Sequence, residues 1–131
     1  MIFVDTGILV AAFSRFDPEH SWARAFLFAP KDSLATSDYV IDETLTLLRS
    51  RGRKQAALRA AEELFGGSLL RLVYWQPADI REAWRVFASF RDKDWSFTDC
   101  TSYVVMQRLG IAEAAAFDEH FRQFGFVRAL P

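Results

Sequence analysis

The chain has 131 residues, of which 51% are hydrophobic and 25% are charged, and its formal net charge is −1. This length suits a single domain, residues 1–131, with a sizeable core. The near-neutral charge gives no reason to expect a nucleic-acid binder from bulk electrostatics. A polyanionic partner would have to be recognised locally or through a metal ion.

The cysteine content and the N-terminal segment bear on the compartment. A single cysteine, Cys100, excludes an internal disulfide framework and fits a reducing environment. The first residues lack the basic and apolar regions of a signal peptide, and no stretch is apolar for long enough to cross a bilayer. We therefore expect a cytoplasmic protein without a membrane anchor.

The first half of the chain alternates short apolar runs with helical periodicity. The run at 2–4 is rich in strand formers and predicts a strand buried on both faces. Asp17-Pro18 is typical of a helix start, with Asp as the cap and Pro at the first helical position, and Pro30 follows the expected end. Ser37 is a typical helix start, and Gly52 is a typical helix stop. We predict strands at 2–4 and 34–36, and helices at 8–13, 18–29, 37–51 and 53–65.

The second half continues the alternation. Pro77 opens a helix that carries Ile80, Ala83, Trp84 and Phe87 on one face. The alanine run near residue 115 is assigned to a strand from its position after a helix and a glycine stop, because alanine is a poor strand former. We predict strands at 69–75, 114–117 and 126–128, and a helix at 98–109.

Strands that alternate with helices predict an α/β domain with three α/β/α layers around a central, mostly parallel sheet. In such sheets, ligands bind beyond the carboxyl ends of the strands. Asp5 follows the first strand, and Asp118 follows the strand at 114–117. Both carboxylates should therefore lie at the same edge of the sheet.

Two adjacent acids, Asp42 and Glu43, are separated by helix geometry. Residues three and four apart share a helix face. Asp42 falls on a polar stripe that belongs in water, whereas Glu43 falls in line with Tyr39 and Leu47, on an apolar stripe. Glu43 is therefore the acid that is out of place.

Helix capping offers an ordinary explanation for each of the other acids taken singly. Asp5 and Asp118 both lie at strand-to-helix turns, where an acid commonly caps the helix. Asp99 lies three residues after Ser96, the spacing of a capping box, and would also complement the helix dipole. Capping and chemistry remain equally good interpretations of each residue alone.

Taken together, Asp5, Glu43, Asp99 and Asp118 favour a metal site. Like charges cannot gather in a partly dry cleft without protonation or a cation. Oxygen-only ligands suit Mg²⁺ or Mn²⁺. Such a site can bind phosphate oxygens, orient a water molecule as the nucleophile and stabilise the leaving oxygen.

Four segments, in order along nearly the whole chain, resemble the PIN-domain ribonucleases, specifically the VapC-type toxins of toxin–antitoxin pairs. The central segment DKDWSFTDC is highly specific, whereas VDT or FDEHF alone would be weak. The segments are FVDT (3–6), TSDYVIDE (36–43), DKDWSFTDC (92–100) and AFDEHF (116–121).

The resemblance implies a PIN fold that binds Mg²⁺ or Mn²⁺ through a cluster of acids. It implies that Asp5 and Asp99 are direct metal ligands, and that Glu43 and Asp118 bind a second ion or position water. Ser96 and Thr98 match the hydroxyl positions that hold Asp99 in place. Members of this family cleave RNA, usually act as homodimers and are silenced by a cognate antitoxin.

The sequence differs from the family pattern in two respects. Gly7 occupies a position that is more often Ser or Asn, and the chain is not basic. The basic run at 49–54 is more often a solvated face than a phosphate track, but it is the best candidate patch for an RNA backbone or an acidic partner. His120 is near Asp118 and could support it.

Two other enzymatic or signalling functions are disfavoured by the sequence. A haloacid-dehalogenase-like phosphatase needs a second acid where Gly7 stands, and a receiver domain needs paired acids after the first strand. The non-enzymatic alternative is a catalytically weak PIN-like module that binds RNA or a protein partner. Retention of all four acids favours the metal-dependent endoribonuclease.

Overall fold

The computed structural model describes residues 1–29 and 33–129, and within these residues the chain forms five strands and seven helices. None of these helices is both long and apolar enough to span a membrane. The strands are β1 (Ile2–Val4), β2 (Leu34–Ser37), β3 (Arg71–Val73), β4 (Glu113–Ala115) and β5 (Val127–Ala129). The helices are α1 (Thr6–Phe13), α2 (His20–Phe28), α3 (Asp38–Ser50), α4 (Lys54–Phe65), α5 (Pro77–Ser89), α6 (Phe97–Leu109) and α7 (His120–Gln123).

The sheet has the strand order β3-β2-β1-β4-β5, and every neighbouring pair is parallel. Parallel neighbours require crossover connections, which the helices supply. The predicted three-layer α/β/α architecture is confirmed. Strand β1 lies at the centre, so the residue that follows it emerges between the ends of β2 and β4.

Packing around β1 explains why alanines serve as a strand. Phe3 pairs in register with Ala35 on one side and Ala114 on the other, and all three are fully buried. The small neighbours leave room for the Phe3 ring, which packs at 6.3 Å from the buried ring of Phe121 on α7. Burying such a ring is worth about 1.5–3 kcal/mol. Tertiary packing therefore overrides the poor strand propensity of alanine.

The predicted start of the second helix was wrong by two residues. Helix α2 begins at His20, and its N-cap, Glu19, makes no side-chain capping bond. Asp17 instead accepts a hydrogen bond from the Glu19 amide at 2.9 Å, which closes a turn before the helix. Pro30, expected just past the helix, lies outside the described residues. The strand predicted at 69–75 is also shorter, spanning only β3.

The buried face of α5 differs from the prediction. Ala83 is buried as expected, but Trp84 is 63% exposed and Phe87 is 41% exposed. The helix buries Asp79 and Val86 instead. Asp79 forms the capping box of α5 with Gln76 and also pairs with Arg108, and these bonds set the rotation of the helix.

The ion pair between Asp79 and Arg108 joins α5 to α6. Arg108 Nε and Nη2 donate to the two carboxylate oxygens of Asp79 at 3.0 and 2.9 Å, a two-pronged arrangement. Arg108 also reaches the carbonyl of Tyr74 at 3.3 Å. The pair therefore anchors both helices beside the end of β3.

The rotation of α5 leaves Trp84 and Phe87 exposed, and they continue a row of rings that also includes exposed Trp75 and half-buried Tyr39 and Phe97. Ring centroids lie 5.8 Å apart for Trp75 and Tyr39, 6.4 Å for Tyr39 and Phe97, 5.8 Å for Phe97 and Phe87, and 6.5 Å for Phe87 and Trp84. We call these five residues the aromatic face. Large exposed apolar patches of this kind mark interaction sites.

Candidate metal centre

A cleft of about 480 Å³ lies beyond the carboxyl end of β1. The structure brings all four acids singled out from the sequence to its lining, namely Asp5, Glu43, Asp99 and Asp118. Asp5 directly follows β1, and Asp118 follows its neighbour β4. The parallel pairing of these strands is what places the two carboxylates at one edge.

Asp5 is the most buried acid of the cleft, at 5% exposure. It occupies the N-cap position of α1 but makes no side-chain capping bond, so capping does not explain it. Burial raises the pKa of Asp5 well above its ordinary value of 3.8, and the neighbouring carboxylates of Asp118 and Asp99 raise it further. The amide of Thr6 offsets only part of this effect. The structure thus holds an acid where its charged form is disfavoured.

Asp99 combines the capping role with a place in the cleft. Its amide donates to Ser96 Oγ and its Oδ2 accepts from the Ser96 amide, both at 3.0 Å, which is a complete capping box. The same Oδ2 lies 2.6 Å from Nδ1 of His120. Within the described residues Oδ1 has no such partner, so it is the oxygen available to a ligand. Burial raises the pKa of Asp99, while the bonds from Ser96 and His120 partly offset this.

His120 is the site residue that the sequence interpretation undervalued. An ionised carboxylate can only accept, so Nδ1 donates to Asp99. The His120 amide also donates to Asp118 Oδ1 at 3.0 Å. Asp99, Asp118 and His120 each offer a ligand atom, and these atoms lie within 4.8 Å of one another. The available signal was the acid two residues before His120, a spacing that favours a local turn.

Helix α3 directs Glu43 towards the cleft and Asp42 towards solvent. Glu43 is half-buried and lines the cleft, whereas Asp42 is exposed. The start of the helix is fixed by Ser37, whose Oγ accepts from the Val40 amide at 3.2 Å. Thr36 secures the preceding strand by donating to the Val4 carbonyl at 2.7 Å. These bonds set the register that aims Glu43.

Three other residues of the central segment have clear positions. Asp94 is exposed and does not line the cleft. Cys100 is fully buried, and burial raises the pKa of its thiol to about 11, so it is the core thiol expected from the sequence. Thr98 accepts a hydrogen bond through its carbonyl from the Thr101 hydroxyl at 2.7 Å.

The unusual glycine beside Asp5 has a steric counterpart. A Cβ added at Gly7 would lie 3.3 Å from the ring of Phe117, which also lines the cleft. A side chain at this position would press on that ring. The aromatic residue at 117 and the glycine at 7 therefore fit each other.

The donor set suits a divalent cation. Hard ions such as Mg²⁺ and Mn²⁺ prefer carboxylate oxygens, and Mn²⁺ also accepts imidazole. The raised pKa values of Asp5 and Asp99 show that the carboxylates repel one another in a poorly solvated place. A bound cation would remove that repulsion.

Comparison with known proteins agrees with this geometry. Residues 2–127 match the family model of the PIN domain. The chain belongs to the PIN domain family. Its sequence is 36% identical over 132 residues to the 23S rRNA-specific endonuclease VapC20 of Mycobacterium tuberculosis, covering 100% of this chain and 99% of the relative. Ribonuclease VapC26 of the same organism is 26% identical over 129 residues, covering 98% and 93%.

Solved PIN-domain structures share the whole fold. The crystal structure of M. tuberculosis VapC20, described as a sarcin–ricin loop cleaving toxin, aligns with a TM-score of 0.91 and 32% identity over 100% of both chains. VapBC2 from Rickettsia felis, crystallised with a fragment of promoter DNA, aligns with a TM-score of 0.71 and 13% identity over 99% and 98%. At that identity the second match shows the PIN fold alone.

Replacing Asp5 with Asn should stabilise the metal-free protein near neutral pH. Because the pKa of Asp5 is raised in the folded state, its protonation contributes to the free energy of unfolding. That contribution is fully present below the ordinary pKa of 3.8 and is lost as the pH rises through the pKa of the folded state. Asn stays neutral, so we expect the variant's free energy of unfolding near pH 7 to be higher by about 1 kcal/mol or more, because the effective penalty for burying an ion is of this order or larger. Denaturant unfolding in EDTA measures it.

The gain should shrink as the pH falls towards 3.8, where the unfolded carboxylate also takes up its proton. Exposed Asp94→Asn is the matched control and should change stability little. Adding Mn²⁺ should stabilise the wild type more than Asp5→Asn. An Asp5→Asn protein no more stable than the wild type in EDTA would contradict the prediction.

His120→Ala should weaken Mn²⁺ binding, because it removes the donor that holds Asp99 Oδ2. Loss of such a supporting partner typically costs about 10–100-fold in metal affinity. His120→Asn can place an amide nitrogen near the position of Nδ1 and should restore much of the affinity. Titration calorimetry with Mn²⁺ measures both variants. Wild-type affinity in His120→Ala would refute the supporting role, and equal losses in both variants would indicate direct ligation.

Proposed function

We propose that this protein is a metal-dependent endoribonuclease, the toxin of a type II toxin–antitoxin pair, which cleaves 23S rRNA at the sarcin–ricin loop. The observation that carries the proposal is the convergence of four carboxylates in one cleft. The full-length similarity to VapC20, at 36% sequence identity and a TM-score of 0.91, supports the choice of substrate. We also propose a cytoplasmic location, which a ribosomal RNA substrate would require.

In this proposal Asp5 and Asp99 hold Mg²⁺ or Mn²⁺. When bound, the ion neutralises phosphate charge and lowers the pKa of the attacking water. Glu43 and Asp118 bind a second ion or position that water. Ser96 and His120 restrain Asp99 through Oδ2, which leaves Oδ1 for the ion.

A PIN-like module that binds RNA or a protein without cleaving it is the second candidate. Such a module would have the same fold, but its binding would not depend on the four acids of the cleft. The raised pKa values of Asp5 and Asp99 argue against it, because a mere scaffold gains nothing from two buried, mutually repelling acids.

We also propose a cognate antitoxin as a protein partner, supported by the membership of VapC20 and VapC26 in the VapC group and by the fold shared with VapBC2. The cleft is the natural target for it. A basic side chain entering the cleft would neutralise the same carboxylates that otherwise need a metal ion.

A homodimer is the third part of the proposal, with the aromatic face as its interface. Its three exposed rings, Trp75, Trp84 and Phe87, are 38%, 63% and 41% exposed, so the face presents roughly 200–350 Å² of apolar surface. A standard interface buries about 800 Å² per partner, so the aromatic face could form its apolar core. Two copies of one apolar patch can meet around a two-fold axis.

Asp99→Asn should abolish metal-dependent cleavage of a hairpin RNA that carries the sarcin–ricin loop. We expect at least about a 100-fold lower rate, because losing a ligand should cost more than losing an outer partner. Gel analysis of the labelled hairpin in Mg²⁺ or Mn²⁺ measures the rate, and EDTA should stop the reaction. Asp94→Asn, in the same segment but outside the cleft, is the control and should cleave normally.

Undiminished cleavage by Asp99→Asn would refute the metal mechanism. Cleavage of other RNAs but not of this hairpin, still dependent on Asp99, would refute only the substrate. A wild-type protein that binds Mn²⁺ yet cleaves no bacterial RNA would favour the binding module.

Trp84→Lys should turn the dimer into a monomer, because it places a charge on the most exposed ring of the apolar interface. Phe65→Lys is the matched control, since Phe65 is similarly exposed at 58% but lies at the end of α4, away from the aromatic face. Light scattering coupled to size-exclusion chromatography gives the mass. A wild-type monomer, or a Trp84→Lys dimer as stable as Phe65→Lys, would contradict the proposed interface.

A further inference from the structure

A second cavity, of about 460 Å³, lies between the end of α1 and the start of α4. Four cationic side chains line it, and its described lining includes no carboxylate. We call this cavity the basic pocket, after Arg15, Arg53, Lys54 and Arg59. It is a local concentration of positive charge in a chain whose net charge is −1.

Two of the three arginines of the basic pocket contact one aromatic ring. The guanidinium carbon of Arg53 lies 3.8 Å from the ring centroid of Phe16, and that of Arg15 lies 4.9 Å from it. Cation–π contacts of this kind orient a guanidinium without neutralising it. Among the described residues, none of the four cations forms an ion pair with a carboxylate. Their charge therefore remains available to an anion.

The start of α4 adds to the positive potential. Its N-cap, Arg53, makes no side-chain capping bond, and no acid stands in the first turn of this 12-residue helix. The first amides of a helix lack partners within it and favour a negative group. Lys54 and Arg53 occupy the position where most helices carry an acid or a hydroxyl cap.

The basic pocket continues the acidic cleft along two chain segments. In the first, Asp17 lines the cleft while Ser14 and Phe16 line the pocket. In the second, Arg51 lines the cleft while Gly52 and Arg53 line the pocket. The linings of the two cavities therefore meet at residues 16–17 and 51–53, so the basic pocket is a neighbour of the metal centre.

We infer that the basic pocket binds backbone phosphates of the RNA strand next to the scissile bond. This inference rests on the proposed ribonuclease function. An RNA strand approaching four carboxylates is repelled, and the overall charge supplies no compensating attraction, so cations beside the cleft are needed to hold it. Phosphate contacts fix the position of a strand without reading its sequence. The basic pocket would therefore not determine which phosphodiester bond is cleaved.

The test compares two triple variants that remove equal charge. Arg15→Gln/Lys54→Gln/Arg59→Gln empties the pocket of its exposed cations but keeps Arg53 on Phe16. The control, Arg71→Gln/Arg81→Gln/Arg85→Gln, removes three exposed arginines of β3 and α5. Both also carry Asp99→Asn to prevent cleavage. Circular dichroism on melting checks that each variant folds.

Fluorescence anisotropy with two labelled probes measures RNA affinity, using the sarcin–ricin hairpin and an oligouridylate of the same length. We expect the pocket variant to bind both RNAs about tenfold or more weakly at about 50 mM salt, and its salt dependence to fall by roughly 0.7 in slope for each phosphate that the variant no longer binds. The control should stay within about twofold. Equal RNA affinities of the two triple variants would overturn the inference.

An acidic protein segment is the competing occupant of the basic pocket. A labelled oligoglutamate of matched charge tests it, and weaker binding of this probe alone, with RNA affinity unchanged, would overturn the RNA assignment. Cleavage without the Asp99 substitution separates the two proposals. If the wild type cleaves and the pocket variant shows an unchanged KM, only the pocket inference fails. If the wild type cleaves no RNA, the proposed function itself fails.

Discussion

The arrangement of this protein depends on one electrostatic constraint, the burial of Asp5 beside two other carboxylates at the end of the central strand. Its raised pKa shows that the protein holds this acid at a cost in stability. The parallel pairing of β1 with β4 sets the distance to Asp118, and the start of α6 sets the position of Asp99. A fold built only for stability would place a neutral residue at position 5.

Ordinary helix-start geometry supplies much of the precision of the site. The capping box of Ser96 and Asp99 fixes one carboxylate oxygen, and the donor from His120 meets the same oxygen. The other oxygen is left for the cleft. Capping and ligand binding are thus compatible, because a carboxylate has two oxygens and enough lone pairs for both roles.

The small net charge of the chain conceals a separation of charge across its surface. Carboxylates dominate the cleft, while the adjoining basic pocket holds cations without ion-pair partners among the described residues. A metal ion would complement the charge of the cleft, and a phosphate backbone would complement the charge of the basic pocket. The aromatic face shares α3 and α6 with the cleft, but none of its five residues lines the cleft or the basic pocket, which leaves it available to a protein interface.

The sequence by itself determined the alternation of strands and helices, and therefore the parallel sheet and the edge where Asp5 and Asp118 meet. It also separated Glu43 from Asp42, because helix periodicity is local. It did not determine the buried face of α5, since periodicity shows which residues share a face but not which face a distant partner such as Arg108 selects. Only the tertiary structure brought His120 to Asp99, 21 residues away, and joined residues near 15 to those near 53 in one pocket. Contacts between distant segments depend on how whole elements pack, and no local pattern encodes that.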